Sequence, residues 1–107
     1  MTGMEIMEFE FAGRLSPAGF APVLAGVVAS GNLEVLIEPS PADNCLFHVE
    51  TSARGFSEIW KAVISDFHER HPLIGAVVSI HDMGATPAVV SLRLEQAASM
   101  LAARSEA

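Results

Sequence analysis

The chain has 107 residues, a length that suits one domain with one core, and 50% of them are hydrophobic, which argues against extensive disorder. Thirteen acidic and six basic residues give a net charge of −7, and a chain this acidic would repel a phosphate-rich partner such as a nucleic acid. The sequence has no apolar run of the ~18 residues needed to cross a membrane, no secretory signal and a single cysteine, so we expect a cytoplasmic protein without an internal disulfide.

The first half of the chain is predicted to consist of strands. Residues 7–11 alternate between apolar and acidic side chains, which is typical of a half-buried strand. Pro17, Gly19 and Pro22 then predict a loop over residues 14–22. Further strands are predicted over the apolar, β-prone segments 24–29, 33–37, 45–51 and 73–80.

Two later segments have helical spacing instead. The first begins near Gly55 and ends before Pro72, and its apolar stripe comprises Phe56, Ile59, Trp60, Val63, Ile64 and Phe67. The second follows Thr86-Pro87, a pair typical of the N-cap and the first helical position. Its buried stripe would comprise Val90, Leu94, Ala97 and Leu101.

This order of elements predicts an α+β fold rather than a helical bundle. We expect a two-layer sandwich in which two helices pack on one face of a mostly antiparallel β-sheet. Residues 1–107 would form a single domain, with frayed ends at about residues 1–5 and 104–107.

Ser30 is the residue that we single out as a candidate functional group. Gly31 and Asn32 suit positive φ and lie between two β-prone runs, which predicts a hairpin with a two-residue loop. Ser30 would lie at the tip, between Ala29 and Gly31, which are both too small to shield its hydroxyl. Since no base is beside it, the serine is better suited to being modified than to attacking a substrate. The alternative is an ordinary turn serine.

Other candidate sites in the sequence are weaker. His68 and His71 have a spacing that could hold a metal, but polar side chains are also common at a helix C-terminus, and we predict no metal site. A triad of Ser30, His81 and Asp82 lacks the strand–turn–helix motif of a nucleophile, and adjacent residues on a strand point to opposite faces. We therefore predict no catalytic residue.

Acidic residues are concentrated in residues 1–50, which hold seven acids and one base. This surface could dock on basic surfaces of protein partners, or its charge could serve only solubility. Glu34 and Glu38 are the candidates for docking on the predicted hairpin. Asp82 is a third candidate, although it could instead cap a backbone N–H of the connection between the last strand and the last helix.

Two segments together resemble one protein family. They are SGNLEVLIEP, residues 30–39, and DMGATPAVVSLRLEQA, residues 82–97. Both are similar to segments of the acyl carrier (delta) subunit of malonate decarboxylase, and the resemblance extends from about Met7 to Ala98. The acyl carrier (gamma) chain of citrate lyase is a more distant relative with a similar plan.

The resemblance implies a function for Ser30. In that family a serine at the matching position carries a thiol arm derived from 2′-(5″-triphosphoribosyl)-3′-dephospho-CoA, joined through a phosphodiester. The arm holds acetyl and malonyl thioesters during decarboxylation of malonate to acetate and CO2. The implied partners are the acyltransferase (alpha) subunit, the decarboxylase (beta and gamma) subunits and the nucleotidyltransferase that attaches the arm. The chain would thus be a non-catalytic carrier subunit of a bacterial complex.

One position departs from the family pattern. The residue two places after the serine is associated with Asp, whereas this chain has Asn32. We expect the turn to persist because Asn tolerates positive φ. Two other functions stay open from the sequence: a citrate-lyase-type carrier, and a small α+β protein-binding module with no prosthetic group.

Overall fold

The computed structural model describes the backbone of residues 4–14 and 20–106, and the side chains of these residues as far as Ala102. These residues form five strands and two helices. In chain order they are β1 (Glu5–Phe11), β2 (Val23–Gly26), β3 (Leu33–Pro39), β4 (Cys45–Thr51), α1 (Ser57–Arg70), β5 (Ala76–Asp82) and α2 (Pro87–Glu106). No helix in this part of the chain combines the length and the hydropathy needed to cross a bilayer.

The strands form one sheet in the order β1-β4-β5-β3-β2. Only β4 and β5 run parallel, because α1 connects them as a crossover; the other three pairings are antiparallel. Both helices pack on the same face of the sheet. The predicted α+β sandwich is therefore confirmed.

The core lies between this face and the helices. Alternate residues of each central strand point into it, so that Leu33, Val35 and Ile37 of β3 are fully buried. The stripe predicted for α2 is confirmed, since Val90, Leu94, Ala97 and Leu101 are buried. The stripe predicted for α1 is confirmed in part: Trp60, Ile64 and Phe67 are buried and Val63 is half-buried, but Phe56 and Ile59 are exposed. Phe47 of β4 packs edge-to-face against Phe67, with ring centroids 6.1 Å apart.

The ends of the elements follow local signals. The Thr86 hydroxyl accepts a hydrogen bond from the Val89 N–H at 3.3 Å, which confirms the predicted N-cap of α2. The last strand was predicted over residues 73–80 but spans Ala76–Asp82. Gly75, with φ +70°, turns the chain just before this strand, which explains the later start.

Some expectations concern the parts of the chain that the structure does not describe. Of the loop predicted over residues 14–22, residues 15–19 lie outside the described ranges. Of the ends that we expected to be frayed, residues 1–3 and 107 also lie outside them. Glu5 is the first residue of β1, and the backbone of residues 104–106 continues α2.

Candidate functional site

The segment between β2 and β3 is longer than predicted. The two-residue loop expected at Gly31-Asn32 is wrong: β2 ends at Gly26, and residues 27–32, here named the serine loop, connect it to β3. Gly26 has φ +83° and directs the chain out of the sheet, so Val27 and Val28 are exposed although they are β-prone. A hydrogen bond from the Val27 N–H to the Leu33 carbonyl, 3.1 Å long, closes the loop.

Ser30 lies in a tight turn at the tip of the serine loop. The Asn32 N–H donates to the Ala29 carbonyl at 2.9 Å, and Gly31 has φ +72° at the third position, as a type II turn requires. Asn32 has no positive φ, so only the glycine of the predicted pair uses this conformation. Ala29, Ser30 and Gly31 are all exposed. Within residues 4–14 and 20–106, the Ser30 hydroxyl has no hydrogen-bond partner, which leaves it accessible to a large partner.

A second loop holds this turn in place. Residues 83–86, here named the support loop, connect β5 to α2. The Gly31 N–H donates to the Met83 carbonyl at 2.8 Å, and the Met83 N–H donates to the Asn32 carbonyl at 3.0 Å. Two backbone hydrogen bonds therefore join the residues that follow Ser30 to the support loop.

The buried carboxylate of Asp82 organises the support loop. Its carboxylate accepts hydrogen bonds from the Thr51 hydroxyl at 2.8 Å and from the N–H groups of Gly84 at 3.2 Å and Ala85 at 3.0 Å. Only 1% of Asp82 is exposed. The proposed docking role of Asp82 is thus corrected: the residue is almost completely buried, and it caps the loop backbone instead.

Asn32 connects the serine loop to α2. Its side-chain oxygen accepts hydrogen bonds from the Leu33 N–H at 2.8 Å and from Nε of Arg93 at 3.1 Å. Sequence reasoning missed Arg93, because no local pattern relates it to a residue 61 positions earlier. The guanidinium places a positive charge beside the position at which the resembled family has Asp, so either side chain can accept this bond.

Glu34 and Glu38 lie on the opposite face of the sheet, which no described helix covers. Glu34 is half-buried and pairs with His81 at 3.6 Å, and Glu38 is exposed four residues further along β3, ~13 Å away. His48 on the same face contacts Glu8 at 3.1 Å and Glu50 at 3.2 Å. The pKa of His48 is raised above its ordinary value, chiefly by hydrogen bonding to Glu8. Burial acts in the opposite direction but is outweighed by Glu8 and Glu50 together.

The other candidate groups are not brought together. His81 lies on the open face and Asp82 on the helical face, as their adjacency on β5 predicts, so no triad with Ser30 forms. Nε2 of His68 contacts the Leu73 carbonyl at 2.9 Å, whereas Nε2 of His71 contacts Glu95 at 3.0 Å. Among the described residues no group of His, Cys, Asp and Glu could hold a metal ion.

Cys45 is fully buried in the core, and burial raises its pKa to about 12. A thiol with such a pKa stays protonated at neutral pH and is a poor nucleophile. This fits the packing role that its position on a strand predicts.

An apolar cavity of about 270 Å³ opens beside the support loop. One wall comes from the start of α1, where Trp60 is buried while Phe56 and Ile59 are 46% and 44% exposed. The other wall comes from Asp82, the support loop and the first turns of α2. Sequence reasoning assigned the aromatic residues of α1 to the core and missed this cavity, because it forms only where two helix N-termini meet.

The chain was compared with known proteins. The sequence model of the malonate decarboxylase delta subunit (MdcD) family matches residues 21–101. The chain is 63% identical to the malonate decarboxylase acyl carrier protein of Burkholderia cepacia, over 94% of each chain. It is 51% identical to that of Stenotrophomonas maltophilia (strain K279a), over 94% of this chain and 96% of the relative.

A solved structure is also similar. It is one chain of a Pseudomonas malonate decarboxylase hetero-tetramer crystallised in complex with malonate, with a TM-score of 0.80 and 38% identity over 91% of this chain and 98% of that one. The family match and the identities both cover most of the chain. The chain therefore belongs to the malonate decarboxylase delta subunit family.

Proposed function

We propose that this chain is the acyl carrier subunit of a malonate decarboxylase and carries its acyl groups on an arm attached to Ser30. The observation that carries the proposal is the exposed hydroxyl of Ser30, which has no hydrogen-bond partner among the residues that the structure describes. It lies on a turn that two backbone hydrogen bonds join to the support loop, in a chain of this family. The arm would be the phosphoribosyl-dephospho-CoA group that the family resemblance implies. The substrate would be malonate, and the products would be acetate and CO2.

The geometry of the serine loop fits such an attachment. A side chain at Gly31 would meet no atom within 4 Å, so the space beside the serine is open. The Ser30 oxygen would form the new bond to the phosphorus next to the ribose, and pyrophosphate would leave the triphosphate. Of the two candidate helpers in the sequence, His81 lies on the open face of the sheet, and the carboxylate of Asp82 binds the support loop. The attaching nucleotidyltransferase must therefore supply the base that takes the hydroxyl proton.

A carrier of this kind needs no catalytic group of its own. The arm, when attached, would supply a thioester carbonyl, which accepts the negative charge left by loss of CO2 better than a free carboxylate does. The chain would hold the arm at a defined place and dock in turn on the acyltransferase and decarboxylase subunits. Weak and reversible docking suits a subunit that must leave each site. Assembly with other subunits is supported by the hetero-tetramer to which one similar chain belongs. A cytoplasmic location is part of the proposal.

Intact mass tests this proposal. The chain would be co-expressed with the enzymes that make and attach the arm, and peptides covering residues 26–39 would be mapped. We expect the mass of the arm on Ser30, and none on a Ser30→Ala variant. Ser52→Ala is the matched control because Ser52 is also exposed, near the same edge of the sheet, and this variant should load fully.

Three outcomes would contradict the proposal in whole or in part. An unmodified chain, in cells that load a known carrier, would favour a protein-binding module without a prosthetic group. Loss of the circular dichroism spectrum in Ser30→Ala would show that the serine is structural. If the loaded chain accepted citrate-derived rather than malonyl groups from its partner subunits, the citrate-lyase-type carrier would replace the malonate assignment.

A further inference from the structure

The cavity between α1 and α2 has no role in the function proposed above. Its walls are mostly apolar, and Phe56 and Ile59 leave almost half of their surface open at its mouth. Exposed apolar side chains beside a cavity are typical of a ligand site rather than of a packing defect. A volume of about 270 Å³ is slightly below the range of sites that enclose a whole cofactor, so the cavity suits one ring system rather than a complete arm.

The cavity and the serine loop share the support loop. Asp82 and Gly84 line the cavity, and Met83 between them forms both hydrogen bonds to Gly31 and Asn32. The cavity therefore begins one residue away from the contact that positions the turn of Ser30. An arm attached to Ser30 would thus start from a turn that is hydrogen-bonded to the loop lining this cavity.

The residues that line the cavity favour some parts of the arm over others as its occupant. Asp82 places a buried carboxylate at the cavity, and its full charge opposes the partial positive charge of the two helix N-termini that would otherwise attract a pyrophosphate or a malonyl carboxylate. A carboxylate has about four acceptor positions, and Asp82 accepts three hydrogen bonds from the protein, which leaves one for a donor. The rings of Trp60 and Phe56 suit a flat, uncharged partner.

We propose that this cavity binds the adenine ring of the arm attached to Ser30. In a 2′-phosphoribosyl dephospho-CoA arm, adenosine is the first unit beyond the phosphoribosyl linker, and the pyrophosphate and the thiol lie further out. Adenine is flat and uncharged, and its amino group donates to the remaining acceptor of Asp82. Holding the adenine would fix the inner part of the arm while the thiol end stays free to enter partner subunits. This inference rests on the function proposed for Ser30.

Trp60, the single tryptophan of the chain, reports on the cavity. Isotope-labelled chain would be loaded with unlabelled arm, and loading would be verified by intact mass before any other measurement. We expect the emission of Trp60 to be quenched in the loaded chain relative to the unloaded one. Isotope-filtered nuclear Overhauser spectra should show contacts from the adenine ring protons to the Ile59 methyl groups.

A pair of variants provides the control. Ile59→Glu adds a charge at the mouth of the cavity and should abolish both signals in the fraction of the chain that is loaded. Leu92→Glu changes a similarly exposed residue of α2 outside the cavity and should keep them. A fully loaded chain with unchanged emission and no contacts would overturn the inference, and contacts from the pantetheine or acetyl protons would overturn the assignment to adenine. Failure of loading would instead overturn the function proposed for Ser30, and this inference with it.

Discussion

The serine loop and the support loop meet at one edge of the sheet but are built in opposite ways. In the serine loop the side chains of Val27, Val28 and Ser30 point to solvent, and the loop keeps its shape mainly through backbone hydrogen bonds. In the support loop a buried carboxylate, Asp82, binds two successive N–H groups, and Thr86 caps the helix that follows. The comparison indicates that the position of the exposed serine depends on the hydrogen bonds that order the support loop.

This division has a physical reason. A residue that a large partner must reach cannot be surrounded by packed side chains, so the rigidity of its loop has to come from elsewhere. The two hydrogen bonds between Met83 and the turn transmit that rigidity. Substitutions should therefore affect stability strongly in the support loop and weakly at the serine itself.

Asp82→Ala should have the largest effect on stability. It removes the acceptor of the buried Thr51 hydroxyl and of two part-buried loop N–H groups, and the loss of these three bonds should cost about 3 kcal/mol in total. Urea denaturation would measure the change, and Asp43→Ala, at an exposed turn, should stay within ~0.5 kcal/mol of the parent. Equal effects of the two variants would show that Asp82 does not organise the support loop.

Gly31→Ala and Gly84→Ala make the same change in the two loops. Both glycines have positive φ and open space around the missing side chain, so each substitution should cost about 1–2 kcal/mol of backbone strain without a clash. Thermal and urea unfolding of the two variants would be compared directly. If Gly31→Ala cost nothing, the turn of the serine loop would not be held as described.

Asn32→Ala should weaken the link between the serine loop and α2. It removes the acceptor for the Leu33 N–H and for Arg93, at a cost of about 1 kcal/mol. Asn32→Asp keeps both bonds and adds a charge opposite Arg93, so its stability should equal or slightly exceed that of the parent at pH 7. Denaturation of the parent and both variants at low and high salt would test this, since the difference in stability from the parent should depend on ionic strength only for the Asp variant. A destabilised Asp variant would contradict the assigned contact.

Ser30→Ala should have the smallest effect on stability, within ~0.5 kcal/mol, because its hydroxyl has no partner among the described residues. The same variant is expected to abolish attachment of the arm, so it separates the functional role of the serine from any structural role. Urea denaturation of the unloaded proteins would measure it. A loss comparable to that of Asp82→Ala would mean that the serine, too, has a structural role.

Much of the fold was accessible from local patterns. The alternation on β1 and the apolar stripe of α2 lie in nearby residues, and each predicts the face that packs on the core. The stripe of α1 does so from Trp60 onward, whereas Phe56 and Ile59 are exposed. The loop after β2 could not be predicted from local patterns in the same way. Val27 and Val28 are as β-prone as their neighbours, and only the turn at Gly26 removes them from the sheet.

The sequence by itself determined the elements, their buried faces and the serine with small neighbours, because hydrophobic periodicity and turn residues act over a few positions. Only the tertiary structure decided that Asp82 points inward to cap the support loop, that Arg93 reaches Asn32, and that a cavity opens beside the serine loop. These features depend on how β5 pairs with β3 and where α1 and α2 approach each other. Such contacts join residues tens of positions apart, and no local pattern specifies them.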